Sequence, residues 1–126
     1  VDEAANIQAP YGVPYGTYFD VVDDTGAPVD LSTYHAQADV RPGSPDDPGP
    51  AALTVNDGNG RLTIAAPPGG SVASRITMTL SAADTVTVGV GDFWYALVLV
   101  DGTGTPVQNG LIAIGAFQVT PTGLTL

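Results

Sequence analysis

The sequence has no cysteine and no lysine, and only one histidine, one tryptophan, one methionine and one glutamate in 126 residues. Without cysteine there are no disulfides, thiolate metal sites or cysteine nucleophiles. The lack says little about compartment, because extracellular proteins often do without them. Zinc needs His or Cys clusters, and His35 stands alone. One imidazole without an announced partner does not make a triad, so His35 reads as an exposed residue on the polar face of a strand. The lone glutamate, Glu3, leaves the oxygen-rich stretches Asn56-Asp57-Gly58-Asn59 and Asp23-Asp24 without the terminal Glu of an EF-hand calcium loop; both read as turns. No apolar run approaches the ~20 residues of a membrane span. Val1-Asp2-Glu3 does not have the basic-then-apolar pattern of a signal peptide.

Catalytic motifs are equally scarce. Ser71, in Gly69-Gly70-Ser71-Val72-Ala73, lacks the second glycine of a nucleophile elbow. Gly89-Val90-Gly91 precedes a strand pattern, so it cannot aim a helix N-terminus at phosphate. The carboxylate pairs Asp23-Asp24 and Asp46-Asp47 lie in polar loops, with no apolar pocket to raise the pKa of one partner. The expectation is a protein that is not an enzyme and that uses no cofactor or metal.

What is present is acid, turn residues and alternation. Thirteen acids oppose three bases, Arg41, Arg61 and Arg75, for a net charge of -10. Such a chain repels phosphate, which argues against nucleic acid and anionic membrane as partners. The acidity serves solubility first and secondarily suits a basic surface. The 16 glycines and 11 prolines fall between apolar runs and follow no collagen period.

Residues 1–14 read as an extended N-terminal arm, since Pro10 and Pro14 reject helix and Tyr11 and Tyr15 offer aromatic contacts. Strand patterns follow at 16–22, 33–41, 51–55, 61–65, 74–80, 92–100 and 106–120. In 33–41, Tyr34, Ala36, Ala38 and Val40 alternate cleanly with His35, Gln37, Asp39 and Arg41. Asn56-Asp57-Gly58-Asn59-Gly60 carries the strongest short-range hairpin signal. Ser81 is a plausible cap for one helical turn over 81–84, and 85–90 reads as a short strand or an extended connection. Segment 92–100 is apolar on both faces and reads as a central strand. Gly110 and Gly115 mark possible bulges in the last one. Four prolines, at 42, 45, 48 and 50, make a stiff exposed loop over 42–50.

The pattern spells an antiparallel β-sandwich of seven to eight short strands: an all-β, immunoglobulin-like domain over 15–126 behind the arm. Its expected core is Phe19, Val21, Ile76, Met78, Leu80, Trp94, Leu97, Leu99, Phe117 and Val119. The expected interaction residues are Ile7, Pro10, Tyr11, Val13, Pro14 and Tyr15 on the arm. On the loop they are Arg41, Pro42, Pro45, Asp46, Asp47 and Pro48.

Three stretches resemble an immunoglobulin-like domain of bacteriophage structural proteins. They are Ile76-Thr77-Met78-Thr79-Leu80-Ser81-Ala82-Ala83-Asp84-Thr85, then Gly91-Asp92-Phe93-Trp94-Tyr95-Ala96-Leu97-Val98-Leu99-Val100-Asp101, then Gly110-Leu111 through Phe117-Gln118-Val119-Thr120-Pro121. Phe19 to Leu31 is similar to the opening strand and turn of that family. Relatives include the N-terminal domain of baseplate upper proteins and small proteins that decorate phage heads or tails. The resemblance implies a virion protein without enzymatic activity, assembled in the host cytoplasm and displayed on the particle exterior. A capsid decoration (cement) protein on the major capsid protein is the first expectation, as a homo-oligomer. A tail, baseplate or fibre-attachment accessory protein is the alternative. A secreted bacterial adhesin or carbohydrate-binding module, with Trp94 or the tyrosines as sugar platform, is the second.

Overall fold

The computed structural model describes residues 6–44 and 47–122. Ten strands and one helix follow in chain order: β1 (Ile7–Pro10), β2 (Tyr15–Asp20), β3 (His35–Arg41), β4 (Gly43–Ser44), β5 (Asp47–Pro48), β6 (Leu53–Asn56), β7 (Leu62–Ala65), β8 (Arg75–Leu80), α1 (Ala82–Val88), β9 (Gly91–Val100) and β10 (Pro106–Thr120). Five strands form one sheet in the order β1-β10-β9-β3-β6. Three form a second, β2-β8-β7, and β4 pairs with β5 in a short ribbon. Period-two alternation explains why the two sheets share one core. Ala36, Ala38 and Val40 of β3, Val55 of β6, Tyr95 and Leu97 of β9, and Phe117 of β10 are buried from the large sheet. Ile76, Met78 and Leu80 of β8 and Leu62 of β7 are buried from the small one. The fold is all-β, with one short helix among the described residues.

Of the expected core, Ile76, Met78, Leu80, Leu97, Leu99, Phe117 and Val119 are buried, and Phe19 and Val21 pack half-buried against them. Trp94 is a correction. Strand parity puts Tyr95 inside, fully buried, edge-on to Phe117 at 6.5 Å and tilted against Phe19 at 6.3 Å. Its neighbour Trp94 therefore lies half-buried on the outer side of the large sheet.

The arm is a second correction. Its residues 1–5 lie outside the described residues, but Ile7–Pro10 is a strand. It pairs parallel with Phe117–Thr120, and Ile7 (3% exposed) and Ala9 (0%) sit in the core. The alternation Ile-Gln-Ala-Pro places the apolar pair inward and Gln8 outward. There Gln8 Nε2 donates to Gln118 Oε1 at 3.2 Å. Proline at the strand's end costs nothing on an edge. The boundary at 14/15 therefore separates no arm from the domain.

Asn56 to Gly60 does not make a hairpin, because β6 and β7 belong to different sheets. Both strands turn apolar side chains, Leu53, Val55 and Leu62, onto the same core from opposite sides, and only a crossing between sheets permits that. The corner is held by side chains: Asn59 N donates to Asn56 Oδ1 (2.8 Å), Asn59 Nδ2 to the Thr54 carbonyl (2.9 Å) and Arg61 N to Asn59 Oδ1 (3.1 Å).

The chain from 82 to 88 is helix where β-branched Thr85, Val86, Thr87 and Val88 favour strand. A capping box outweighs that preference. Asp84 N donates to Ser81 Oγ (3.1 Å) and Ser81 N to Asp84 Oδ2 (2.9 Å), satisfying two of the helix's orphan donors. Arg61 Nη2 then donates to Asp84 Oδ1 at 2.8 Å and ties the helix to the start of β7. Gly89, at φ 83°, ends it in a conformation that side chains avoid.

In β10 the register shifts fall between Pro106 and Leu111 and between Leu111 and Ala113. Pairing runs unbroken through Gly115, which marks no bulge. Gly110 belongs to the irregular stretch: a Cβ there would meet the Val107 carbonyl oxygen at 2.9 Å and that of Leu99 at 3.1 Å.

Candidate protein-interaction surfaces

Three surfaces carry the polar and apolar groups that the core leaves over. The first is the end of the large sheet where β1 and β3 finish and β9 begins. Register places Pro10 beside Thr120, Val119 beside Gly91, and Arg41 beside Trp94. The turn over Tyr11–Pro14 and the proline loop after Arg41 therefore leave the sheet at the same end, with the two strands β10 and β9 between them. Tyr11 N donates to the Thr120 carbonyl (3.0 Å) and Thr122 Oγ1 to the Tyr11 carbonyl (2.8 Å). Gly12 N donates to Thr85 Oγ1 (2.9 Å), binding the turn to α1. Val13 and Pro14 face outward, and Pro10, Tyr11 and Tyr15 are half-buried.

Across the sheet, the loop is closed at its base. Arg41 Nη1 donates to the Gly49 carbonyl (3.2 Å), Gly49 N donates to the Pro42 carbonyl (3.0 Å), and Gly43 pairs with Pro48. Gly49 is needed there, since a Cβ would come within 2.7 Å of the Pro42 ring. Pro45 and Asp46 lie outside the described residues; Asp47 and Pro48 are placed by their backbone pairing. Of the expected interaction residues, Ile7 is removed to the core, and the rest of the described set gathers at this one end.

The second surface is the outer side of the large sheet. Cross-strand pairing sets three rows there: Gln37, Val98 and Leu111; Asp39, Ala96 and Ile114; Arg41, Trp94 and Ala116. Arg41 Nη2 holds Asp39 Oδ2 at 3.1 Å. Asp39 Oδ1 and Trp94 Nε1 are shielded from solvent and have no hydrogen-bond partner among the described residues. The sequence signal for this surface was the doubly apolar pattern of 92–100, which reports a hydrophobic outer face as well as an inner one.

The third surface is the opposite end. His35 Nδ1 lies 2.7 Å from Asp57 Oδ2, with His35 about half exposed. This pair stands between two open clefts. One is lined by Leu31, Tyr34 and Leu62, the other by Asp101, Gly102 and Thr103. Asp23 and Asp101 build matching loops. In each, one Oδ1 accepts from the Thr two residues on (Thr25 or Thr103, N and Oγ1) and from the backbone N four residues on (Ala27 or Thr105). These bonds hold both carboxyls below the usual carboxylate range. Ser32 N is bound to Asp30 Oδ1 (3.0 Å). The cluster offers a fixed acidic rim and one imidazole.

The arginines are all engaged: Arg41 with Asp39, Arg61 with Asp84, and Arg75 with both oxygens of Asp20 while stacked 3.8 Å over Tyr18. The net charge of -10 therefore falls on the remaining acids. Among the described residues no group of three or more His, Cys, Asp or Glu is placed to hold a metal ion. No helix among them is long and apolar enough to cross a membrane. No protein-family model matches the chain, and no curated protein matches it.

Proposed function

We propose that this chain is an immunoglobulin-like virion accessory protein, a non-enzymatic capsid decoration protein that binds the outer capsid surface and stabilises the head. The strand order supports the immunoglobulin-like part. Taking β2, β3, β6, β7, β8, β9 and β10 as strands B, C, C′, D, E, F and G, the small sheet is B-E-D and the large one G-F-C-C′, which is the variable-type partition. The virion part is supported by the resemblance of residues 76–85, 91–101 and 110–121 to phage structural domains.

One observation carries the mode of attachment: the 11–14 turn and the 42–50 loop leave the same end of one rigid sheet. Two short, anchored segments a fixed distance apart bind a repetitive shell with little ordering cost. A basic partner would add long-range attraction to the acidic surface.

The test is the composition of purified phage particles. A copy number close to that of the major capsid protein is the expected result. A handful of copies per particle moves the protein to the tail or baseplate. Absence from particles, with glycan binding by the isolated protein, replaces the proposal with the secreted adhesin.

A further inference from the structure

We propose that the outer face of the large sheet is the docking site for a second copy of this chain, two-fold related, with Asp39 and Arg41 of each copy facing Arg41 and Asp39 of the other. The first observation is a contrast between sheets. The outer positions of β8 and β7 are Arg75, Thr77, Thr79, Thr63 and Ala65, as expected of a face turned to water. Those of β9 and β10 from residues 94 to 98 and 111 to 116 are Trp94, Ala96, Val98, Leu111, Ile114 and Ala116, an apolar patch that ends at the hydrogen-bonded pair Asp92 and Gln118. A contiguous apolar patch with a polar rim marks an association surface.

The second observation is the pair of unsatisfied groups at one margin of the patch. Among the described residues Trp94 Nε1–H lacks an acceptor and Asp39 Oδ1 lacks a donor. Both line one shallow groove with Gln37, Arg41, Ala96 and Val98. Native proteins leave few such groups unpaired, and an incoming surface with a donor and an acceptor satisfies both after a side-chain shift.

Charge selects the occupant. The chain carries -10, and Arg61 and Arg75 are spent on Asp84 and Asp20 away from this face. Asp39 and Arg41, next-but-one neighbours on β3, give the central rows one acid and one base. A basic partner gains most at the acidic loops. With Asp92 at its margin this face carries two acids and one base, a small share of the chain's charge, and it gains most from an apolar partner that sets a base against an acid, as its own copy does. An isologous interface is self-complementary by definition, and an acid and a base flanking the two-fold axis meet that requirement. Five strands about 4.8 Å apart and seven residues of about 3.3 Å make a face of roughly 550 Å². Two such faces bury on the order of 1,100 Å², just above the lower bound for a specific interface. The proposal stands whether or not the chain attaches to a virion.

The test is analytical ultracentrifugation of the full chain from about 1 µM to about 1 mM, the range in which an interface near that lower bound dissociates. The wild type should show a reversible monomer–dimer equilibrium. Ile114→Lys should abolish it. Asp39→Arg should weaken it by about tenfold or more, and the double change Asp39→Arg with Arg41→Asp should restore it to within about threefold, because the exchanged pair is again self-complementary. Thr77→Lys, on the other sheet, should leave it unchanged, and circular dichroism should show each variant folded. A monomer at every concentration overturns the proposal. So does a dimer that survives Ile114→Lys and Asp39→Arg, or a charge exchange that fails to rescue in a folded protein.

Discussion

Trp94 and Tyr95 show how one step along a strand divides two aromatic residues between the core and the outside. Tyr95 is fully buried between Phe19 and Phe117, and Trp94 lies half-buried on the outer face. Tyr95→Ala should cost about 3–5 kcal/mol, the usual range for a buried aromatic, and Trp94→Ala only about 1–2 kcal/mol. Urea titration of both variants measures the difference. Burial also pushes the Tyr95 hydroxyl up to about 12. The folded state then keeps its proton between pH 10 and 12 while the unfolded chain loses it, so stability falls as pH rises above about 10. Tyr95→Phe should flatten that alkaline decline in a series of denaturation midpoints. Sequence alone assigned Trp94 to the core, and wrongly, because 92–100 is apolar at both parities and its pattern does not say which of Trp94 and Tyr95 points inward. Strand 33–41 alternates with polar residues, and there Ala36, Ala38 and Val40 were legible as core from the pattern itself.

Among the elements, β1 and α1 depart furthest from sequence expectation, and both do so through tertiary contacts. Four residues with a proline at the end do not announce a strand. β1 exists because β10 offers it a parallel edge and the core accepts Ile7 and Ala9. Ile7→Ala should therefore destabilise the domain by about 2–4 kcal/mol, and deletion of residues 1–10 by more; thermal melts would show both. In α1 the cap was legible at Ser81, but the length was not, since it depends on Asp84 engaging both the Ser81 backbone and Arg61. Ser81→Ala should cost about 1 kcal/mol. The Arg61 guanidinium holds the Asp84 carboxyl below its ordinary 3.8. A depressed carboxylate stabilises fully above its unfolded value and loses that contribution as pH falls through the folded one, so the Asp84 contribution disappears in the window below about pH 4. Asp84→Asn should remove this part of the acid sensitivity, seen as a shallower loss of stability from pH 5 to 2. The 56–60 turn was legible as a turn and not as a corner, because the same Asn and Gly chemistry serves both. Only the burial of Leu62 on the opposite wall separates them.

At the scale of the molecule, an acidic chain has placed its few bases inside ion pairs, its anchored turn and proline loop at one end, and its apolar residues on one outer face as well as in the core. The all-β class was legible because alternation and turn residues recur throughout the chain. The gathering of the turn and loop was not, because it follows from a parallel pairing between segments more than a hundred residues apart. Attachment as proposed above requires that one end of the large sheet, and not the His35–Asp57 end, meets the particle. Hydrogen–deuterium exchange of the protein free and bound to phage capsids tests it directly. The account expects new protection in peptides covering residues 11–15 and 41–51, with the loops around Asp57 and Asp101 unchanged. Protection confined to those loops, with the turn and proline loop exchanging as in the free protein, would contradict it.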